Sequence, residues 1–178
     1  MEVETKMSQS IIKTFSNITE IAKTCIRMEL KPDGILSDVT EFRASYFDEH
    51  GIDPPGIWMV EHPTYPEKGT GTLDQKETIV TPFEFVCVDY MDDDDYETSD
   101  KKGKNLASRV GSCIIKNWKK AGLIEDKRIV HDIRFKNFYP VGEVRIEGKS
   151  DKVPATSIIF DFRYRVDWEY CNRKYKTP

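Results

Sequence analysis

The sequence predicts an α+β fold: a four- to five-stranded, mainly antiparallel sheet with two helices packed on one face, in the order α-β-β-α-β-β. Three features of the chain carry that expectation. Ile158, Phe160, Phe162, Tyr164, Val166, Trp168 and Tyr170 fill consecutive even positions, while Asp161, Arg163, Arg165, Asp167 and Glu169 fill the odd ones between, which is the period-two signature of a half-buried antiparallel strand. Leu106, Val110, Ile114 and Trp118 recur every fourth residue, as one face of a helix requires. Ile11, Phe15, Ile18, Ala22 and Ile26 form a second such stripe, widened by Ile12, Ile21 and Cys25.

Taken in order, the first helix opens at Ser8 or Ser10, either of which can cap it. It ends near Leu30, because Pro32 disfavours helical geometry in the residue before it and Gly34 breaks the pattern. Residues 33–56 hold Ile35, Leu36, Val39, Phe42, Tyr46 and Phe47 before Gly51, Pro54, Pro55 and Gly56, and predict a short helix over 38–48 followed by a loop. Residues 57–62 form a short strand, and 63–74, with Pro66, Gly69 and Gly71, a turn or loop. Residues 78–90 are rich in β-formers, with Phe83, Phe85 and Cys87 on one face and Val86, Val88 and Tyr90 on the other. A strand apolar on both faces needs cover on both, and Pro82 suits an edge or a strand start.

The acidic run MDDDDYETSD leads into the second helix, over 101–121, where Ala107 and Ala121 widen the stripe and Gly122 stops it. Gly111 inside that helix costs about 1 kcal/mol relative to Ala, which points to close packing against the sheet. Ile129, Ile133 and Phe135 alternate with Val130, Asp132, Arg134 and Lys136 as a strand; a second segment at 144–147 precedes a turn over 148–154. The alternating segment ending at Tyr170 would reach roughly 43 Å if fully extended, more than twice a usual strand. Part of it is therefore expected to project or to pair with another subunit, with Phe160, Phe162, Tyr164, Val166 and Trp168 as the candidate intersubunit strand. The chain reads as one domain over 1–178, with an inserted segment at 31–56 and a flexible basic tail at 171–178.

Composition narrows the function. Net charge is −4, from 27 basic and 31 acidic side chains, so the molecule as a whole lacks the positive field of a dedicated DNA-binding domain. No apolar run spans a bilayer, and MEVETKMSQS is polar and acidic where a secretory signal is basic and then apolar. Cys25, Cys87, Cys113 and Cys171 stand far apart without a C-x-x-C pair and read as reduced thiols, Cys87 and Cys113 within apolar periodic segments. The Asn17-Ile18-Thr19 sequon is incidental without a secretory signal.

The search for chemistry returns little. His50, His62 and His131 share no metal-ligand spacing, and Gly69-Thr70-Gly71 lacks the rest of a phosphate-binding loop. Asp92, Asp93, Asp94 and Asp95 do not alternate as calcium ligands do. No catalytic residue, metal or cofactor is expected, and the chain reads as a non-enzyme. The four aspartates do create a local potential that repels phosphate over about a Debye length.

The N-terminal amphipathic helix, the strands of 57–90 with TPFEFVCVDY, the helix of LASRVGSCIIKNWKK and the final SIIFDFRYRVDWEY together resemble the tail-terminator, or tail-completion, proteins of long-tailed bacteriophages. The resemblance covers about 8–30 and 57–170 and rests on the order of elements and strand texture, without a signature motif. It implies a small α+β subunit of a homo-oligomeric ring, typically a hexamer, which caps the tail tube, stops its polymerisation and joins it to the head. The implied partners are further copies of the chain, the tail tube protein and a head-completion or neck protein, with double-stranded DNA only as passing cargo and no membrane. The implied location is the virion, after folding in the host cytoplasm. Asp92 to Asp95 would then be a channel-facing acidic loop. Residues 31–56 and 63–77 are longer than the family's links and are expected to be contact surfaces. Two alternatives stand beside this reading: a head-closure or head-tail connector subunit of the same particle, and a small monomeric binding module.

Overall fold

A computed structural model describes residues 17–44, 51–67, 76–89, 96–124, 127–147 and 152–167. It is α+β, with two helices and a six-stranded mixed sheet in place of the expected four or five mainly antiparallel strands. In chain order the elements are helix α1 (17–27), strands β1 (Glu41–Ala44), β2 (Gly56–Glu61), β3 (Tyr65–Pro66) and β4 (Lys76–Val88), helix α2 (Tyr96–Ala121), a small β5–β6 hairpin (Leu123–Ile124, Lys127–Arg128), then β7 (Val130–Arg145) and β8 (Lys152–Asp167). The sheet runs β1-β2-β4-β8-β7, with β3 pairing β4 beyond the end of β2. Among the described strands only β1 and β2 are parallel.

The long alternating segment is β8, and it is an interior strand. It pairs β4 along one edge, from Lys76↔Asp167 to Val88↔Ala155, and β7 along the other. Its length is matched inside the chain by two other long strands, so the surplus is not spent on a subunit boundary. Phe160, Phe162 and Tyr164 are fully buried, which corrects their assignment to an intersubunit surface. Val166 contributes its backbone to the ladder with Glu77, and the side chain of Val166 and all of Trp168 lie outside the described residues.

The helix expected over 38–48 is also corrected. Glu41–Ala44 is a strand, parallel to β2 through Glu41↔Gly56 and Ala44↔Met59. Tertiary pairing with an available sheet edge outweighs weak local helix preference in so short a segment. β7 departs from strict alternation. Register shifts between Val130/Asp132, Phe135/Asn137 and Pro140/Gly142 are β-bulges, each moving one residue to the other face. One continuous strand thereby joins what the sequence divides into segments at 129–136 and 144–147.

Both helices pack on one face, as expected. Ile18, Ile21, Cys25 and Ile26 of α1 and Leu106, Val110, Cys113 and Ile114 of α2 share a core with Ile57, Met59, Phe83, Phe85, Phe160 and Phe162. Phe83 and Phe162 meet edge to face at 5.1 Å. At Gly111 an added Cβ would lie 2.8 Å from the Ile158 Cδ1 and 3.7 Å from the Phe160 ring. The mid-helix glycine is thus explained by close approach to β8.

The opposite face carries a second core of Ile52, Trp58, Val86, Val88, Val144, Ile146 and Val153, so β4 is covered on both sides as its composition requires. Cover comes from the chain itself. The Ile52 N–H donates to Arg145 O at 3.2 Å, and Arg43 of β1 reaches Gly51 O at 3.1 Å and Glu147 at 2.6 Å. The two edges of the sheet therefore meet at this end. Pro82 sits inside β4 without penalty: its carbonyl accepts from the His62 N–H at 3.0 Å, so its nitrogen faces the break between β2 and β3, where no ladder bond is lost.

Glu29, just after α1, is buried, and ties that helix to α2. Its carboxylate accepts from Asn117 Nδ2 at 2.9 Å and Lys116 Nζ at 2.8 Å, and from the Ile35 N–H at 3.3 Å. Lys116 first, then Asn117, lowers its pKa from the ordinary carboxylate range to about 2. A carboxyl depressed in the folded state contributes stability above its unfolded pKa and loses it as pH falls toward the folded one. Urea midpoints of the wild-type chain should accordingly decline between about pH 4.5 and 2 more steeply than those of Glu29→Gln, which lacks the titrating group. Parallel curves for the two proteins would remove Glu29 as the cause.

Two glycines with positive φ separate strain from crowding. Gly51 (φ 84°) would place a Cβ 2.3 Å from Arg145 O, whereas Gly142 (φ 103°) meets nothing within 4 Å. By urea denaturation, Gly142→Ala should cost about 1 kcal/mol and Gly51→Ala clearly more. Equal losses would show that contact with the β7 end does not constrain Gly51.

Candidate functional site

The aspartates Asp92 to Asp95 lie outside the described residues, as do His50 and Cys171. Cys25, Cys87 and Cys113 are free thiols buried in the helix-side core. Burial pushes Cys25 and Cys113 up to about 12 and raises Cys87 as well, so they hold negligible thiolate at neutral pH and act as small apolar side chains. Among the described residues no group of three His, Cys, Asp or Glu side chains is placed to hold a metal ion. No helix in the described residues is long and apolar enough to cross a membrane.

Two features of the sheet stand out. On the face away from the helices Glu84 is only 8% exposed, yet three side chains converge on it. Tyr139 donates from its hydroxyl to Oε1 at 2.8 Å, Ser157 donates to the same oxygen, and His62 Nε2 lies 2.7 Å from Oε2. Burial pushes the Glu84 carboxyl up, but Ser157, Tyr139 and His62 together outweigh it and hold the pKa below the ordinary range. These residues come from β4, β7, β8 and the segment after β2, so the cluster fixes four parts of the chain at one point. His62 is thereby a hydrogen-bonded histidine. Sequence reasoning missed Glu84, whose only signal is a single acid set between Phe83 and Phe85 in the apolar middle of its strand.

Beside the cluster an ion network continues across the same face. Arg163 donates to Asp132 at 2.8 Å and to Glu67, and Arg134 donates to Asp132 at 3.1 Å. Tyr65, Glu67, Val80, Arg134, Asp161 and Arg163 line an open cleft of about 470 Å³, in which Lys136 stands 5.4 Å above the Tyr65 ring. Its charges are largely matched internally, so it offers little uncompensated field to a ligand.

The second feature is the outer edge. β7 is 16 residues long and, among the described strands, pairs only with β8. Phe135 is 58% and Phe138 37% exposed, Val141 is exposed beyond them, and Ile115 of α2 is exposed as well. Phe135 and Phe138 pair with Phe160 and Ile158, so both point to the helix side of the sheet, beyond the strands that α2 covers. Phe135 packs edge to face on Phe160 at 5.9 Å, leaving its outer side in solvent. Isolated apolar residues on a surface are ordinary, but two aromatics in succession along a free sheet edge form a surface suited to a protein partner.

No protein-family model matches the chain, and no curated protein matches it.

Glu84→Ala would leave Tyr139, Ser157 and His62 without their shared acceptor. A loss of about 1–3 kcal/mol in urea unfolding is expected, whereas Glu67→Ala, on the more exposed side of the ion network, should cost about 1 kcal/mol or less. A cost at Glu84 no larger than at Glu67 would show that the cluster does not organise the sheet.

Proposed function

We propose that this chain is a structural virion subunit resembling the tail terminators of long-tailed bacteriophages, forming a homo-oligomeric ring that caps the tail tube, stops its polymerisation and provides the joint to the head. The observation that supports the reading best is the free edge of β7 with its exposed Phe135 and Phe138. A ring needs a surface on each subunit that meets a different surface on the next, and an uncovered aromatic edge is such a surface. The three bulges, Lys136 and Pro140 interrupt the edge's backbone pairing, as edge strands that avoid indiscriminate addition do. Subunit contact in this reading therefore goes mainly through the Phe135 and Phe138 side chains. The two-sided core and the Glu84 cluster make the sheet stiff enough to hold that edge in one shape.

Light scattering coupled to gel filtration, with and without headless tail tubes, tests this. Wild-type protein should appear as a multiple of the 20.7 kDa chain mass, six in the family's usual ring, or should assemble on contact with tubes. Phe135→Asp combined with Phe138→Asp should remain folded by circular dichroism and stay monomeric in both conditions. Wild-type protein that is monomeric even with tubes present would refute the ring.

A further inference from the structure

Asp161 lines the open cleft on the face away from the helices, and one of its two oxygens is unused. Tyr65 donates its hydroxyl to Oδ2 at 3.3 Å. Oδ1 is buried, yet it accepts no hydrogen bond from any described residue. A buried carboxylate oxygen left in that state is costly, so it marks a place for a donor. Arg134 is the direct cross-strand partner of Asp161, but its Nε donates to Asp132 at 3.1 Å. Arg163 is committed to Asp132 and Glu67. What approaches Oδ1 instead is the Lys136 ammonium, at 3.5 Å, beyond ordinary hydrogen-bond length, and it stands 5.4 Å from the centre of the Tyr65 ring. Lys136 reaches this position because of a β-bulge. The register passes from Phe135↔Phe160 to Asn137↔Ile159 and leaves Lys136 unpaired in the ladder, and a bulge re-aims the side chain it carries. Lys136 is a loose occupant: 44% of its side chain is exposed, and a flexible four-carbon stem lets its ammonium exchange this long ion pair for water.

We propose that this cleft is a binding site for an alkylammonium group, the end of a lysine side chain or a free primary amine, and that Lys136 keeps its place while no ligand is bound. The incoming ammonium takes the position of the Lys136 nitrogen, donates to Asp161 Oδ1 and lies against the Tyr65 ring. Charge selects this class of ligand. Asp132, Asp161 and Glu67 face Arg134, Arg163 and Lys136, three against three, so a polyanion meets no net attraction. Once Lys136 swings into solvent the carboxylates exceed the cations by one, and a monocation restores the match. Geometry agrees with this choice. Arg163, only 14% exposed and held by two carboxylates, is a fixed wall, and Val80 and Pro66 in the same cleft offer apolar contact to an alkyl chain. The volume of about 470 Å³ is that of a small-molecule site. Phe135 and Phe138 face the other side of the sheet, so the site does not depend on the ring reading.

The test follows the Tyr65 ring signals of the full chain by NMR as n-butylammonium chloride is added at constant ionic strength. Saturable, millimolar binding is expected. Asp161→Asn should weaken it about tenfold or more, since the charged acceptor is lost. Lys136→Met should tighten it about three- to tenfold, because the internal competitor is gone and the whole population is open to ligand. A gain of affinity cannot come from a misfolded variant. Tetramethylammonium carries the same charge and can rest on the ring, but it has no N–H for Oδ1 and should bind about tenfold more weakly. A blocked peptide with a single lysine separates the two sources: tighter binding than butylammonium assigns the cleft to a lysine of a partner protein, and equal binding assigns it to a free amine. No response of Tyr65 in either the wild type or Lys136→Met, unchanged affinity in Lys136→Met, or tetramethylammonium bound as well as butylammonium overturns the proposal.

Discussion

Thirteen consecutive pairs between β4 and β8, from Lys76↔Asp167 to Val88↔Ala155, are the constraint on which the rest of this structure depends. A ladder of that length fixes which side chains face which way, since a slip of one residue would move the whole apolar set to the wrong side. With the register as it stands, Phe83, Phe85, Phe160 and Phe162 lie under the helices, and Val86, Val88, Val153 and Ala155 lie in the second core. Neither core could form without the other, because β4 is apolar on both faces and exposing either would forfeit about 25 cal/mol for each Å² left in water.

The second core also explains the shape of the sheet. Covering Trp58 and Val86 requires the 51–52 segment and the end of β7 to come together, which they do through the Ile52 to Arg145 hydrogen bond, the Arg43 to Glu147 ion pair and the left-handed Gly51. Closure at that end leaves the other part of β7 without a neighbour. The polar cluster on Glu84 and the ion network of Arg163 and Asp132 fill the same face where the apolar core stops. Buried polar groups of this kind are stable only when every member is satisfied, so they hold the exposed edge in register with the core.

Much of the local structure was legible in the chain. Helix α2 follows from the four-residue stripe and its stop at Gly122, whose N–H donates to Trp118 O at 2.8 Å. The alternation of β8 was visible for the same reason that Ile158, Phe160, Phe162 and Tyr164 are buried, and Gly111 announced a close contact that Ile158 and Phe160 supply. Residues 41–44 were misread because a four-residue strand has no periodicity of its own and exists only where β2 offers an edge. β7 was divided in two because bulges break the period on which strand recognition relies.

By itself the sequence determined the α+β class, the apolar stripes of both helices and the double-sided burial of β4, because each is a matter of which residues recur at which spacing; it did not show that α2 begins at Tyr96, five residues before its expected start. Tertiary structure alone decided that β8 is interior and β7 is the free edge. The same alternation of Phe160, Phe162 and Tyr164 suits a strand at a subunit boundary and one buried between neighbours, and only the pairing of β8 with both β4 and β7 tells them apart. Strand order is a property of contacts distant in sequence. Local spacing carries no record of them, and for that reason the aromatic residues left for a partner proved to be Phe135 and Phe138.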